Sequence, residues 1–413
     1  MTGAGRIRTV AFWGNFGSGN LGNEATLAAA IHQVHRRLPG AELRVICTNP
    51  AEARHQHGVH ALPIRGEPFQ PVAGSRSRSP VHLLRRLGQE ARGWSEARRG
   101  LQGVELLVMT GTGMLTDTDE GRFGLHYDLF RWATAARLSG AAVAVLGVGV
   151  EEIHRRSTAL LLRAALGMAA HRSYRDLQSR ERLQKTGGDF SRDAICPDLA
   201  FGLPPIASRT PPARGTRPRT VAVGLYALRN RGERDAADAA VYRSYLEKLR
   251  TLVLELRRRG DVPQLILGDL RHDRPVLEDL RALLSDSGES VPDRGHLVSG
   301  RFEALREELA EVDLVVASRF HNVLLALELG KPVVSLGYEA KNAALMESMG
   351  VGDFSADVES FEPGWVLEKL DRWEQERAQR LATVAERVAE ARTALDAQLD
   401  RVFGPPPDTT SPG

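Results

Sequence analysis

The chain has 413 residues, of which 42% are hydrophobic and 26% charged, and a formal net charge of +3. That composition excludes a disordered chain, and so small a net charge gives no ground for nucleic-acid binding. The length suffices for two domains of ordinary size.

Residues 8–13 read as a buried strand. They run into Gly14-Asn15-Phe16-Gly17-Ser18-Gly19-Asn20-Leu21-Gly22-Asn23-Glu24, with four glycines in the first nine residues. Those glycines, with Asn15 and Asn20, predict a tight strand-to-helix turn that lets a polar group approach the backbone. Gly17 to Gly22 also satisfies the dinucleotide fingerprint. The second strand, residues 43–47, is followed by Thr48-Asn49 and lacks the carboxylate that would hold a ribose, which weakens a nicotinamide reading. Residues 73–100 form a basic insertion in which Arg76, Arg78, Arg85, Arg86, Arg92, Arg98 and Arg99 alternate with Leu83, Leu84, Leu87 and Trp94. As an amphipathic helix it would rest on an anionic membrane surface, and a solvated insertion is the alternative. Strands at 105–109 and 142–146 lead into Thr110-Gly111-Thr112-Gly113 and Gly147-Val148-Gly149. Gly113 and Gly149 should therefore lie at the same carboxyl edge as the first loop. Asp117, just beyond, suits either a general base or a helix cap. Arg175-Asp176 ends a short strand near Ser173.

This alternation defines an N-terminal domain over residues 1–205. Five prolines and four arginines at 204–219 break it, placing a linker at 206–219. A second series over 220–362 has strands at 221–225, 264–267, 314–317 and 333–336. Residues 363–402 read as long polar helices, and 403–413, with three successive prolines, as a disordered tail. The expected fold is α/β, with two Rossmann-like doubly wound domains facing a cleft. Cys47 and Cys196 sit apart in strand-like runs, so no disulfide framework is expected, and the first residues carry no apolar signal core. Both features suggest the cytoplasm. The longest apolar run, 141–150, is too short to span a bilayer. His55 and His57 lack matched carboxylates and Glu151-Glu152-Ile153-His154 lacks a second histidine, so metal-independent catalysis is expected.

The most informative stretch is Val315-Val316-Ala317-Ser318-Arg319-Phe320-His321, followed by a short apolar helix, Gly330-Lys331-Pro332, a second strand and Gly337-Tyr338-Glu339-Ala340-Lys341. It reads as a βαβ unit, whose two parallel strands send the loops of Arg319 and His321 and of Tyr338 and Lys341 to one sheet edge. Ser318 suits the helix N-cap, which would add the positive end of the helix dipole. An anion site is the natural reading.

These residues resemble the polysaccharide pyruvyl transferases, whose C-terminal half carries a serine-arginine-x-histidine element, then Gly-x-Pro, a strand and Tyr-x-x-Lys. The likeness continues in the glycine loop, in Thr110-Gly111-Thr112-Gly113, Gly147-Val148-Gly149, Ser173-Tyr174-Arg175-Asp176-Leu177-Gln178-Ser179 and Pro197-Asp198-Leu199-Ala200-Phe201, and covers residues 9–352. Asn23 stands where the family usually has aspartate, and Gly111-Thr112-Gly113 where it has three glycines. The resemblance implies the GT-B architecture and transfer of pyruvate from phosphoenolpyruvate onto two hydroxyls of one sugar as a ketal, with no cofactor. It implies a nucleotide- or lipid-linked saccharide of a cell-surface polymer as acceptor, and Arg175 as a ligand of the donor anion, with local pairing to Asp176 as the alternative reading of that arginine. That chemistry calls for cations, supplied by Arg319, Arg175 and Lys341 with the helix start at Ser318. It also calls for a group that gives and takes protons near neutrality, for which His321 is the candidate. Two other readings stay open: a GT-B glycosyltransferase using the same cations for a nucleotide sugar, and a non-catalytic ligand-binding protein on the same scaffold.

Overall fold

The computed structural model describes residues 7–66, 80–111, 113, 115–117, 124–209, 218–233, 235–286, 288–290 and 295–407. Apolar runs alternate with helices, and every strand pairing in the two resulting sheets is parallel. The described residues within Met1–Ser18, Thr26–Leu203 and Ala394–Gly413 form one compact unit. Those within Gly19–Ala25 and Pro204–Thr393 form the second.

The first sheet is built from β1 (Thr9–Gly14), α1 (Leu21–Arg37), β2 (Glu42–Cys47), α2 (Pro50–His57), β3 (His60–Pro63), α3 (Pro80–Gly100), β4 (Leu106–Thr110), α4 (Leu125–Leu138), β5 (Ala142–Val148), α5 (Arg156–Gly167), β6 (His171–Tyr174), α6 (Leu177–Gln184) and β7 (Ala194–Ile195). Its strand order is β3-β2-β1-β4-β5-β6-β7, which contains the doubly wound 3-2-1-4-5-6 order. Every residue of β1 and β4 is buried, as strands covered on both faces require. Trp13, Leu107, Met109, Trp132 and Val145 lie in the core of this unit.

The second unit contains β8 (Thr220–Leu225), α7 (Ala236–Arg258), β9 (Val262–Leu267), α8 (Arg274–Ser285), α9 (Gly295–Ser299), α10 (Phe302–Glu311), β10 (Leu314–Ala317), α11 (Phe320–Glu328), β11 (Val333–Gly337), α12 (Ala340–Ser348), β12 (Ser355–Asp357) and most of α13 (Pro363–Phe403). Its sheet runs β12-β11-β10-β8-β9, the flavodoxin-like order. Residues 363–402, expected as several helices, lie in the single 41-residue helix α13. Trp373 anchors its first half: the indole is fully buried, donates to the Val333 carbonyl at 2.9 Å and packs 4.6 Å from the Phe354 ring.

Of the basic insertion, residues 73–79 lie outside the described residues. Trp94 of α3 is turned inward, with its Nε1 donating to the Tyr127 hydroxyl at 3.3 Å and its ring edge-on to Phe130 at 6.3 Å. Arg92, Arg98 and Arg99 are exposed. Among the described residues no helix is long and apolar enough to cross a membrane. Residues 210–217 of the expected linker and 408–413 of the expected tail also lie outside the described residues. Both cysteines are buried, and burial pushes the Cys196 thiol up to about 12.

Gly330-Lys331-Pro332 has a structural explanation. Lys331 is fully buried and its ammonium donates to the carbonyls of Arg209 at 2.6 Å and Ala310 at 2.5 Å, holding the C-terminal end of α10. Burial lowers its pKa from 10.5 to about 8, against the opposing pull of Asp313. Between pH about 8 and 10.5 the unfolded chain therefore binds more protons than the native one, and stability rises with pH across that window. We expect the wild type to gain up to about 3 kcal/mol relative to Lys331→Met over this range. Denaturant titrations of both proteins at stepped pH check it.

Candidate anion site

In an open parallel sheet the ligand crevice lies outside the carboxyl ends of the strands, where the strand order reverses. For the second sheet that point lies between β8 and β10, so the loops opening with Tyr226 and with Ser318-Arg319 flank it. One carboxylate ties the surrounding loops together. Asp273, fully buried, receives Arg319 Nε at 2.8 Å and Nη2 at 2.6 Å, the Ala227 N–H at 3.0 Å and the Asp269 N–H at 3.2 Å. Those four donors occupy the lone-pair sites that a carboxylate offers. Burial raises the Asp273 pKa and the Arg319 charge opposes that rise. The guanidinium, for its part, is held in its charged form by Asp273.

The contacts run on from Arg319 through two rings. Its guanidinium carbon lies 4.7 Å from the Tyr226 ring centre, and Tyr226 stacks on Tyr338 at 4.0 Å with only 11° between planes. The Lys341 ammonium lies 5.5 Å from the Tyr338 ring centre and pairs with Glu339 at 2.8 Å. Two cations, each with a carboxylate, thus bracket a pair of stacked phenols, a favourable arrangement of cation and π-face. Arg319 and Lys341 keep 16% and 15% of their side-chain surface exposed, enough to meet a ligand.

His321 stands at the first turn of α11, edge-on to Phe320 at 5.3 Å. Its ring lies directly on the backbone of Gly22, where a methyl group would overlap the imidazole. The neighbouring backbone is fixed by Leu21 N–H on the Gly268 carbonyl at 2.9 Å and Leu270 N–H on the Gly19 carbonyl at 2.8 Å. Asn20, expected to admit a ligand, caps α1: its side-chain oxygen accepts from Gly22 at 3.0 Å and from Asn23 at 3.2 Å. Asn23 is thereby placed as a first-turn residue of this helix, 8% exposed. Ser318 does not hold the helix-cap position expected of it. Arg319 occupies that position and Ser318 is fully buried, one residue too early for its hydroxyl to reach the free N–H groups. Asn342 donates to the Ser318 carbonyl at 2.8 Å and fixes the loop from below.

In the first unit Arg175 lies flat against Gly149, where any side chain would strike the guanidinium. It lies 3.5 Å from the Asp176 carboxylate and 4.0 Å from that of Asp198. Asp176 itself caps α6 through the Ser179 N–H at 2.6 Å. Gly113 faces the Glu151 carboxylate, and Asn15 accepts from the Thr48 hydroxyl at 2.7 Å. Thr112 lies outside the described residues. Asp117 is 2% exposed and accepts from the N–H groups of His154 at 3.0 Å and Arg155 at 2.7 Å, just ahead of α5. Burial alone would raise its pKa, but these N–H groups and the Arg155 charge carry it below the ordinary value. A carboxylate so engaged is a helix-end cap and a weak base. Among the described residues no cluster of three His, Cys, Asp or Glu is placed to hold a metal.

Asp273, Tyr226 and Asp269 escaped the sequence reading. The signal available was Asp273 itself, an acidic residue ahead of Arg274-Pro275 that makes no side-chain cap to its own helix.

The sequence model of the family described as polysaccharide pyruvyl transferase matches residues 20–340. The chain belongs to that family. A 71-residue segment is 30% identical to the amylovoran biosynthesis protein AmsJ of Erwinia amylovora, covering 16% of this chain and 17% of that protein. The pyruvyl transferase fold seen here is also similar to two solved structures of low identity. One is the MnaA–UDP co-structure from S. aureus, with 9% identity, TM-score 0.56, and 98% and 100% of the two chains covered. The other is a UDP-GlcNAc 2-epimerase from Neisseria meningitidis bound to UDP-GlcNAc, with 10% identity, TM-score 0.53, and 95% and 99% covered. Such identities speak to the fold alone, which is two parallel α/β sheets of GT-B type.

Two outcomes are expected. Asp273→Asn leaves a largely buried guanidinium without its counter-charge and should cost about 3–5 kcal/mol in chemical denaturation. Gly22→Ala should force the His321 ring to move and cost about 1–3 kcal/mol, the size of an overpacked contact. Chemical denaturation of both variants beside the wild type checks the two values.

Proposed function

We propose that the protein transfers pyruvate from phosphoenolpyruvate onto two hydroxyls of a saccharide as a cyclic ketal, in the biosynthesis of a cell-surface polysaccharide. The single observation that carries this reading is Arg319, locked by Asp273 and Tyr226 at the strand-order reversal, with His321 two residues on at the helix start. Family membership and the short AmsJ match support it.

The donor carries a phosphate and a carboxylate, and the planar guanidinium of Arg319 receives either group through paired N–H bonds. Lys341 and the N-terminal end of α11 add positive potential. Protonation of the donor methylene carbon makes a methyl group and leaves the adjacent carbon oxocarbenium-like. One acceptor hydroxyl adds to that carbon with loss of its proton. The carbon–oxygen bond to phosphate then breaks, the second hydroxyl adds, and its proton leaves with the phosphate. Acceptor diol and phosphoenolpyruvate thus become ketal and inorganic phosphate. We assign His321 to deliver the first proton and to take one from an acceptor hydroxyl, and not Asp117, whose oxygens already receive backbone N–H groups. Arg175 is assigned to the donor's anionic groups from the family motif that it occupies. The acceptor is a nucleotide- or lipid-linked saccharide.

Calorimetric titration with phosphoenolpyruvate tests this directly. Saturable binding to the wild type is expected, weakened at least about a hundredfold in Arg319→Gln by loss of a charge-assisted pair, and changed less than about fivefold in His321→Gln, which should instead abolish ketal formation. Binding of UDP-GlcNAc without phosphoenolpyruvate would replace this reading with that of a nucleotide-sugar glycosyltransferase. Donor binding with no turnover on any saccharide would favour a ligand-binding protein.

A further inference from the structure

A cavity of about 610 Å³ opens in the first unit beside the loop that follows β5, between the start of α5 and the end of α6. Arg155, Arg156, Arg163, Arg182 and Lys185 line it, with Glu152 as a carboxylate on the same wall. Like charges at such close range repel, and a folded protein normally relieves this by interleaving acidic partners. Elsewhere in this unit it does so: Arg37 pairs with Asp396 and Asp400, Arg131 with Asp128, and Arg172 with Asp193. In the cavity the arrangement differs. Arg163 and Arg182 donate to the carbonyls of Gly187 and Val150, at 3.3 and 2.8 Å, so their guanidinium groups are positioned by backbone carbonyls. Among the described residues Arg156, Arg163, Arg182 and Lys185 have no ion-pair partner. Asp117 sits behind the same loop, but its oxygens point to the His154 and Arg155 N–H groups.

We infer that this cavity binds a phosphate-rich anion, the diphosphate through which the acceptor saccharide is joined to its carrier. This rests on the proposed reading for its ligand, but the anion site itself rests on the cations alone. Positioned arginines suit phosphate oxygens, and the lysine adds a mobile charge. The cavity has the size of an ordinary small-ligand site, larger than a single phosphate needs. It belongs to the first unit, whereas Arg319, the cation proposed to carry donor affinity, belongs to the second, and we therefore assign the anion bound here to the acceptor. A diphosphate is common to nucleotide and lipid carriers, and this geometry recognises the group they share.

The test is titration of the full chain with inorganic pyrophosphate at physiological salt. The variants are Arg156→Gln/Lys185→Gln, which alters two exposed side chains without internal hydrogen bonds, and Arg163→Gln. We expect saturable binding that weakens at least about tenfold in each and persists in Arg319→Gln. Absence of binding to the wild type, equal binding by the cavity variants, or loss in Arg319→Gln would overturn the proposal. Phosphoenolpyruvate titrated into the same samples reports on the proposed function separately, because its affinity should be the same in the cavity variants as in the wild type. UDP-GlcNAc and phosphatidylcholine vesicles doped with a polyprenyl diphosphate then identify the carrier: cavity-dependent binding to either sustains the proposal and names its source.

Discussion

The Asp273 carboxylate is the constraint on which the candidate site depends. It closes three loops, those after β8, β9 and β10, on one buried charge, and in doing so presents the Arg319 guanidinium at the edge of the sheet. A buried ion pair of this kind is poor evidence for stability, because desolvation offsets most of the attraction. Its value is orientation. Arg319 has several rotatable bonds, and two charge-assisted bonds plus a stacked phenol leave it one pose, so little entropy remains to be lost when an anion arrives.

Much of the architecture was legible because it is written in local pattern. Buried strands such as Leu314–Ala317 are short runs of branched apolar residues, and the loops that follow them repeat glycine, serine or arginine where the chain must turn at a sheet edge. The three strands that escaped notice, His60–Pro63, Ala194–Ile195 and Ser355–Asp357, lie at sheet edges, are two to four residues long and bury little, so no periodicity marks them. The helix cap slipped by one residue at Ser318 because serine is a strong cap former, and only the burial of that residue shows why the chain does not use it there.

The candidate site was half legible for a different reason. Arg319, His321, Tyr338 and Lys341 fall within one βαβ unit, and parallel pairing brings their loops to one edge. Tyr226 and Asp273 come from loops far off in sequence, and their contribution is contact alone. Nothing in Gly268-Asp269-Leu270-Arg271-His272-Asp273 says which arginine it will receive. Asp117 illustrates the reverse case, since a carboxylate in a glycine-rich loop has the same sequence signature whether it accepts a substrate proton or two backbone N–H groups.

The packing of His321 on Gly22 also bears on the order in which the protein can be completed. Residues 19–25 belong to the second unit, yet they are synthesised before β2 to β7 of the first sheet, whereas β9 and α11 follow only after the whole of that sheet. Domains ordinarily finish in chain order. Here the second unit is missing one of its walls unless the early segment is kept available, and a fragment beginning at the linker would lack the Leu21 and Gly19 backbone groups that the β9 loop pairs with. The two units are therefore separate in architecture but not separable by a single cut of the chain.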